Sequence, residues 1–201
     1  MSDSFKLTVE LLDFWHCGTG KGSGEFLDAV VERDRVGLPY VPGKMLKGLL
    51  RDAVGLCEAW GHVDRGLQRV LFGSDAFDER TGQPAQPASP GALLVSNACL
   101  PTVLTAWLAH PGNASYRLAL FRDVFSTAVD VESGVAEGKS LRGMEVTVPM
   151  TLEAEIKPMP GQIPPAGWQS QLALALPLVG AVGQQRSRGL GRCILQPVRE
   201  P

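Results

Sequence analysis

The segment GLPYVPGKMLKGLLRDA, residues 37–53, decides the fold, because an extended stretch turns into an amphipathic helix within it. Pro39 and Pro42 fix their own φ angles and keep the residues before them out of the helical region. The helix therefore cannot begin before Gly43. Apolar side chains then recur at helical spacing and predict one buried stripe, which consists of Met45, Leu46, Leu49, Leu50, Ala53, Val54 and Cys57.

The same helix carries the cations Lys44, Lys47 and Arg51 away from the apolar stripe. A solvated helix face is the ordinary explanation of such spacing. However, cations near the start of a helix oppose its dipole and lower its stability unless an anion lies nearby. The unpaired backbone N–H groups at that end also favour an anion. The pattern therefore favours a basic surface that binds phosphate or carboxylate.

The letters PYVPGKMLKGLLR, residues 39–51, resemble the signature segment of the RAMP superfamily, the RNA-binding subunits of CRISPR effector complexes. Many members have Ser-Ser or Lys-Thr before Leu-Lys-Gly, whereas this chain has Lys44 and Met45 there, so a hydroxyl contact at this point is not carried over. The resemblance implies that Lys44, Lys47 and Arg51 contact RNA.

Length and composition limit the number of domains and the ways in which the chain could bind RNA. The chain has 201 residues, of which 44% are apolar and 20% charged, enough for a real core in one domain with insertions or in two small ones. A net charge of −2 provides no overall field for nucleic acid, so RNA binding would depend on local patches.

Targeting signals and cysteine spacing predict the cellular compartment and the state of the thiols. The sequence shows no signal peptide and no apolar run of membrane-spanning length, which predicts a cytoplasmic protein without a membrane partner. The four cysteines are far apart and form no Cys-x-x-Cys pair, which predicts reduced thiols and no structural zinc.

A glycine-rich loop follows the first predicted strand. Phe5 to Leu12 alternates apolar and polar residues, and glycines then occupy every second position from Gly18 to Gly24. The backbone of such a loop can approach a ligand closely, and the family resemblance implies that Gly18 and Gly20 contact RNA. The loop lacks the spacing of nucleotide-binding loops, which disfavours a nucleotide-cofactor enzyme. His16 is either a base or, more commonly for one His after an aromatic pair, a packed side chain.

Three carboxylates follow that loop: Asp28, Glu32 and Asp34. From spacing alone they give a weak metal-site signal, and solvated carboxylates are the more common explanation. In the backbone-forming branch of the family, an Asp in the glycine-rich loop, six residues before the Asp that precedes the Pro-Tyr-x-Pro-Gly turn, cleaves target RNA with a metal ion. Counting back from Asp34 gives Asp28. The resemblance thus implies that Asp28 is catalytic and binds a divalent cation, with Mg²⁺ expected.

The middle of the chain gives weaker signals. We expect the first helix to end near Gly61 and a second amphipathic segment to run from Val63 to Phe72. Ser74 to Gly91 is rich in Pro, Gly and Asp and predicts a loop. Ala92 to Leu100 is a β-like apolar run, which we expect in the centre of the sheet, and Thr102 to His110 predicts a short helix.

Leu118 to Ser140 mixes β-branched residues, charges and glycines, which favours a projecting hairpin over a core element. It resembles the family's thumb, a hairpin that wedges into the guide–target duplex. Ser140 to Thr151 is similar to the family's return strand and contains Glu145. Val148 to Ile156 then alternates, which predicts a strand with its apolar residues inward.

Trp168 to Val182 predicts a second helix that is buried on nearly all sides, and Pro177 should kink or end it. The segment GAVGQQRSRGLGRCILQP, residues 180–197, follows. Loops rich in Gly and Arg often bind phosphate, but many are ordinary basic turns. This one resembles the family's C-terminal glycine-rich signature, which implies that Arg186, Arg188 and Gly189 contact RNA.

The order of these elements predicts an α+β fold: a modified ferredoxin-like, RNA-recognition-motif-like sheet with two helices on one face and an inserted thumb hairpin. We expect a single RAMP-type domain over residues 1–201, with insertions at about 74–90 and 110–140. Because this fold hosts many functions, the fold alone does not indicate RNA binding.

Three functions remain open. The first is a guide-RNA-binding backbone subunit of a type III CRISPR effector complex that cleaves paired target RNA. The second is a non-catalytic RNA scaffold or end-capping subunit of the same complex, and the third is a ferredoxin-like module for a protein or a small molecule. The first two imply guide RNA, target RNA, other effector subunits and further copies of the chain as partners. The first two functions differ in whether the complex cleaves target RNA, and the third differs from both in its affinity for RNA.

Overall fold

The structure is a computed structural model that describes residues 4–18, 20, 27–74, 89–127, 135 and 142–198. Within these ranges the strands are β1 (Phe5–Leu11), β2 (Leu93–Val95), β3 (Phe121–Ser126), β4 (Arg142–Thr147), β5 (Met150–Pro158) and β6 (Cys193–Pro197). The α-helices are α1 (Gly43–Ala59), α2 (Leu67–Phe72), α3 (Thr102–Ala109), α4 (Ala114–Leu118) and α5 (Trp168–Ala175). Short 3₁₀ turns cover Pro111–Asn113, Leu176–Leu178 and Arg186–Arg188.

Four strands form one antiparallel sheet in the order β2-β5-β1-β6. Along the chain these strands alternate with α1 and α5 as strand, helix, strand, strand, helix, strand. This connectivity and this strand order are those of a ferredoxin-like fold. The predicted fold class is therefore confirmed.

The core lies between one face of the sheet and the helices α1 and α5. Val9 of β1 lies opposite Leu152 of β5 and Leu195 of β6, and all three are buried. Leu50 of α1 and Leu172 of α5 are buried in the same cluster. The predicted alternation of the first strand is confirmed, because its apolar residues Phe5, Leu7, Val9 and Leu11 are buried while the residues between them are exposed or half-buried.

A second, two-stranded antiparallel sheet consists of β3 and β4 and is inserted between β2 and β5. We call it the ribbon. Phe121 lies opposite Thr147 and Ser126 opposite Arg142. The predicted projecting hairpin thus has its first strand at the expected place, and its second strand is the segment assigned to the return strand. Residues 128–134 and 136–141 of that prediction, and 75–88 of the predicted loop, lie outside the described residues.

The prediction that residues 92–100 occupy the centre of the sheet is wrong. Only Leu93–Val95 forms a strand, and β2 is an edge strand that pairs with β5 alone among the described strands. Beyond Val95 the chain leaves the ladder and forms isolated bridges, in which Ala98 pairs with Val41 and Cys99 with Glu153. An apolar run indicates burial, but an edge strand that a helix covers and a central strand that pairs on both sides give the same pattern.

Two helix predictions need smaller corrections. α2 begins at Leu67 rather than Val63, because Gly66 adopts a left-handed φ of 86° and the carboxylate of Glu58 accepts the N–H groups of Gly66 and Gln68. α5 ends at Ala175 and a 3₁₀ turn that contains Pro177 follows, so the predicted stop is confirmed. The predicted burial on nearly all sides is wrong, since Leu174 is exposed.

Among the helices that the structure describes, none is both long and apolar enough to cross a membrane.

Candidate functional site

The start of α1 is fixed by the end of the edge strand. The N–H of Gly43 donates to Asn97 Oδ1 at 2.8 Å. A Cβ atom at Gly43 would clash with the carbonyl oxygen of Val95, so a side chain cannot be accommodated there. Asn97 was not among the residues predicted from sequence, although a polar residue directly after an apolar strand is a signal that could have found it. One amide at this helix end is therefore already used within the fold.

The three cations predicted on α1 have different surroundings. Lys44 is exposed and has no ion-pair partner among the described residues. Lys47 Nζ donates to the carbonyl oxygen of Leu93 at 3.0 Å, and thus satisfies a carbonyl of the edge strand. Arg51 Nε lies 3.4 Å from Asp52 Oδ1. Lys44 is consequently the cation of this set that is least committed to the fold.

An open groove runs between α1 and the loop of residues 179–187, and it has two adjoining parts of about 770 and 470 Å³. Leu49, Asp52, Gly183 and Arg186 line both parts. Lys44 and Pro42 line the smaller part, and Leu56 and Leu178 line the larger one. The groove thus joins two cations from opposite ends of the chain, above apolar side chains. The two cations of such a surface can hold a phosphate backbone.

The C-terminal glycine-rich loop packs on the segment that follows β1. Gly183 has a φ of 86°, and a Cβ atom there would clash with the carbonyl oxygen of His16. The next residue, Gln184, donates its N–H to that oxygen at 2.8 Å. Gly191 donates to the carbonyl oxygen of Phe14 at 2.8 Å. Glycine is therefore required at position 183 for close packing and for its left-handed backbone.

The predicted RNA-binding residues of this loop separate into two positions. Arg186 begins the 3₁₀ turn Arg186–Arg188 and lines the groove. Arg188 is exposed and is not among the groove residues, and Gly189 follows it with a left-handed φ of 87°. Arg192 is paired with Asp13 at 3.0 Å. The structure thus brings Arg186, but not Arg188, to the groove of Lys44.

Gly18 and Gly20, the predicted RNA-binding glycines after β1, differ in how closely the rest of the protein packs against them. Gly18 forms a bridge with Val31, and a Cβ atom there would clash with the imidazole of His16. Gly20 is exposed, has a φ of 77°, and has open space at the position of a Cβ atom. Close approach at Gly18 therefore serves packing within the protein, while Gly20 leaves room for a ligand.

His16 is fully buried, so the interpretation as a packed histidine is confirmed. Its Nδ1 lies 2.6 Å from the carbonyl oxygen of Glu145. Because a carbonyl only accepts, Nδ1 carries the hydrogen. Nε2 has no hydrogen-bond partner among the described residues.

Asp28 is exposed at the margin of the ribbon. Its N–H donates to the carbonyl oxygen of Gly143 at 2.8 Å, and its Oδ2 accepts the N–H of Gly143 at 3.1 Å. These two bonds hold the carboxylate against β4. Within the described residues its Oδ1 has no hydrogen-bond partner, so one oxygen remains available to a ligand.

The neighbouring carboxylates are engaged in the fold. Glu32 accepts the hydroxyl of Tyr40 at 2.6 Å, and this hydrogen bond is the main reason that the pKa of Tyr40 is raised to about 12. Asp34 Oδ1 accepts the N–H groups of Val36 and Leu38 at 2.9 and 2.8 Å, which closes a turn.

The donor set around Asp28 limits the kind of metal site that it can form. No group of three possible metal ligands comes together within the described parts of the chain. Mg²⁺ is commonly held by one or two carboxylates together with water and substrate phosphates. Asp28 therefore fits such a substrate-completed site and does not fit a cage made of protein side chains.

Glu145 holds the segment of residues 27–34 on the ribbon. Its Oε2 accepts the N–H of Val31 at 3.0 Å, and its Oε1 forms an ion pair with Arg33. The Arg33 guanidinium lies 3.8 Å from the centre of the Phe121 ring. The N–H of Glu145 also donates to the carbonyl oxygen of Ala29 at 2.9 Å. This role of Glu145 was not predicted from the sequence, although a carboxylate on the buried face of a strand indicates a partner.

The family model that matches this chain is that of the RAMP superfamily, over residues 8–194. No curated protein matches the sequence. Among solved structures, the fold is similar to a chain of the apo type III-B Cmr-beta complex, with a TM-score of 0.64, 12% identity and 98% coverage of both chains. It is also similar to a chain of type III-B Cmr-beta bound to cognate target RNA, with a TM-score of 0.67, 11% identity and 96% coverage of both chains.

At these identities the two structures share a fold with this protein. The family match is broader evidence, because it includes the segment before α1, the whole of α1 and the glycine-rich loop that forms the other wall of the groove. Since the match extends over most of the sequence, the chain belongs to the RAMP superfamily.

Proposed function

We propose that this protein is an RNA-binding subunit of a type III CRISPR effector complex of the Cmr kind, and that it holds guide RNA in the groove between α1 and the C-terminal glycine-rich loop. The observation that carries this proposal is the meeting of Lys44 and Arg186 in one groove, from positions far apart in the sequence. Neither side chain has a partner among the described residues, so both are available to phosphates.

The charge of the protein supports a local site. With a net charge of −2 the whole molecule does not attract RNA, so affinity must come from cations that lie along the path of the backbone. Sequence would be recognised by base pairing between guide and target, and the protein would hold the backbone and shape of the RNA. The likeness to a chain of a Cmr complex with bound target RNA supports the same assignment.

A finer part of the proposal is that Asp28 takes part in cleavage of the paired target RNA. In this reaction the 2′-hydroxyl oxygen attacks the neighbouring phosphorus in line, and the 5′-oxygen of the next nucleotide leaves. The free oxygen of Asp28 can accept the proton of that hydroxyl and orient it. A divalent cation, with Mg²⁺ expected, would stabilise the charge that develops on the phosphate when it is bound there.

The cleavage proposal is tested in the assembled complex with labelled target RNA and Mg²⁺. We expect Asp28→Ala to lower the cleavage rate by at least about a hundredfold, the smaller end of what a positioned acid or base contributes. Asp123→Ala, which removes an exposed carboxylate from the ribbon, is the matched control and should cleave at the wild-type rate. Wild-type cleavage by the Asp28 variant would contradict the catalytic role.

A non-catalytic scaffold or end-capping subunit is the second candidate. It is favoured by the two hydrogen bonds that tie Asp28 to Gly143, since a carboxylate that anchors a loop needs no chemical role. In that case the wild-type complex would bind guide and target RNA but would not cut the target with either magnesium or manganese present.

A further inference from the structure

One face of α1 forms the floor of the groove. Lys44, Gly48 and Asp52 follow one another at four-residue spacing and all three line the groove. Residues four apart lie on successive turns of a helix, so Gly48 is about 6 Å along the axis from each of the other two. A strand that enters at Lys44 and follows α1 therefore passes Gly48 and then reaches Asp52.

Gly48 has no packing reason to be a glycine. α1 contains three glycines, and the other two are explained by their neighbours. A Cβ atom at Gly43 would clash with the carbonyl oxygen of Val95, and one at Gly55 would lie 2.5 Å from the side-chain amide of Gln68. At Gly48 a Cβ atom would meet no atom of the described residues within 4 Å. Glycine inside a helix is less favourable than alanine, so the bare backbone at Gly48 is suited to close approach by a ligand.

Asp52 is the one carboxylate that lines the groove within the described parts of the chain, and it lines both parts. Arg51 Nε lies 3.4 Å from its Oδ1, and the Asp52 side chain is 68% exposed. Its Oδ2 has no hydrogen-bond partner among the described residues. A carboxylate repels phosphates and can only accept hydrogen bonds. Beside Lys44 and Arg186 it therefore favours a ligand that brings a hydrogen-bond donor as well as phosphates.

An RNA strand offers two kinds of donor, the ribose 2′-hydroxyl and the N–H groups of the bases. In a guide the base edges pair with the target, whereas every nucleotide carries a 2′-hydroxyl, the group that marks RNA against DNA. We propose that Gly48 and Asp52 are the specificity site for ribose: a sugar lies on the bare backbone at Gly48 and donates its 2′-hydroxyl to the Asp52 carboxylate. This inference rests on the proposed function and gives the groove a chemical preference for RNA over DNA.

Binding of labelled single-stranded oligonucleotides to the full-length protein tests the role of Asp52. Fluorescence anisotropy gives the affinities for RNA and for DNA of the same sequence at one salt concentration. Asp52→Ala removes both the repulsion of phosphates and the acceptor, so DNA should bind more tightly and RNA should not. The ratio of RNA affinity to DNA affinity should thus fall at least about tenfold. Glu10→Ala is the matched control, because Glu10 is exposed on β1 outside the groove lining, and it should leave the ratio unchanged.

Gly48→Ala tests whether the strand lies on the helix backbone. Because the space at Cβ is open and alanine is the better helix former, this variant should have a higher melting temperature than the wild type without RNA. Its methyl group would occupy the position of the sugar, so RNA affinity should fall at least about tenfold. Gly55→Ala is the matched control, since Gly55 lies on α1 outside the groove lining and its substitution should leave RNA affinity unchanged.

Equal gains in RNA and DNA affinity for Asp52→Ala would overturn the proposal, because the carboxylate would then only repel phosphates. So would wild-type RNA affinity in Gly48→Ala, or an effect of Asp52→Ala that depends on the RNA sequence, which indicates a base contact. If Lys44→Ala with Arg186→Ala leaves RNA binding unchanged, the proposed function fails and the ribose site fails with it. If that pair loses RNA binding while Asp52→Ala keeps the wild-type ratio, only the ribose site is contradicted.

Discussion

The groove and the segment of residues 27–34 both concentrate charge, but they use it differently. In the groove, Lys44 and Arg186 have no ion-pair partner among the described residues. In the segment, Glu32, Arg33 and Asp34 all bind other parts of the protein. Asp28 is tied only to β4 and keeps one carboxylate oxygen without a described partner, as Glu32 and Asp34 also do. A charge that the fold already uses is a weaker candidate for a ligand than one that it leaves open, and sequence spacing does not distinguish the two.

The largest expected effect is a loss of stability when a carboxylate that the fold uses, that of Glu145, is removed. Glu145→Ala leaves Arg33 without its ion pair and the N–H of Val31 without an acceptor. We expect a loss of about 2–3 kcal/mol in the free energy of unfolding, less than the roughly 3–5 kcal/mol of a fully buried pair, because Arg33 is partly exposed. Urea unfolding of the variant and the wild type measures this loss.

Asp123→Ala is the matched control for that loss. Asp123 lies directly opposite Glu145 in the ribbon but is exposed. Its removal should change the free energy of unfolding by about 0.5 kcal/mol or less. Equal losses from the two substitutions would contradict the view that Glu145 holds the segment of residues 27–34 in place.

The sequence predicted the local elements well where proline, glycine and alternation act locally. The start of α1 after Pro42, the alternation of β1 and the end of α5 before Pro177 follow from the chain itself. The edge position of β2 did not follow, because pairing with β5 is a contact between distant residues.

The same limit applies to the candidate site. The cations of α1 and of the C-terminal loop were found from sequence, yet only the folded chain joins Lys44 to Arg186 and directs Lys47 to the carbonyl oxygen of Leu93. The hydrogen bonds of Asp28 to Gly143 also join segments that are far apart in the sequence. Whether residues 1–201 form a single domain stays a prediction.

A smaller effect compares two aspartates of one segment. Asp34→Ala removes the acceptor for two backbone N–H groups of its turn and should cost about 1 kcal/mol of stability. Asp28→Ala loses one such bond at an exposed position and should cost about 0.5 kcal/mol or less. Thermal unfolding of both variants in one buffer measures the difference, and the reverse order would contradict this comparison.

The smallest effect concerns the buried thiols. Burial, with a contribution from Glu32, raises the pKa of Cys17 to about 12, and burial raises the pKa of Cys193 to about 11. Both exceed the ordinary value of 9.0, so the fold favours the protonated thiol, and the stability that this contributes is present below pH 9.0 and is lost as pH rises toward these values.

Alkylation with iodoacetamide followed by mass spectrometry checks the state of these thiols. At mildly alkaline pH, Cys17 and Cys193 of the native protein should react far more slowly than the exposed Cys99, and the difference should disappear in denaturant. Rapid modification of Cys17 in the native protein would show that the segment after β1 opens.

The central claim is that RNA lies in the groove, and the salt dependence of guide RNA binding tests it most directly. Lys44→Ala with Arg186→Ala should weaken binding by about 1–3 kcal/mol per lost contact and should reduce the slope of log affinity against log salt by about 1.4, at about 0.7 per phosphate contact with a single strand. Arg65→Ala with Arg69→Ala removes two exposed cations that line neither part of the groove, and this matched pair should leave that slope unchanged. An unchanged slope for the groove pair, or an equal reduction for the other pair, would contradict the account.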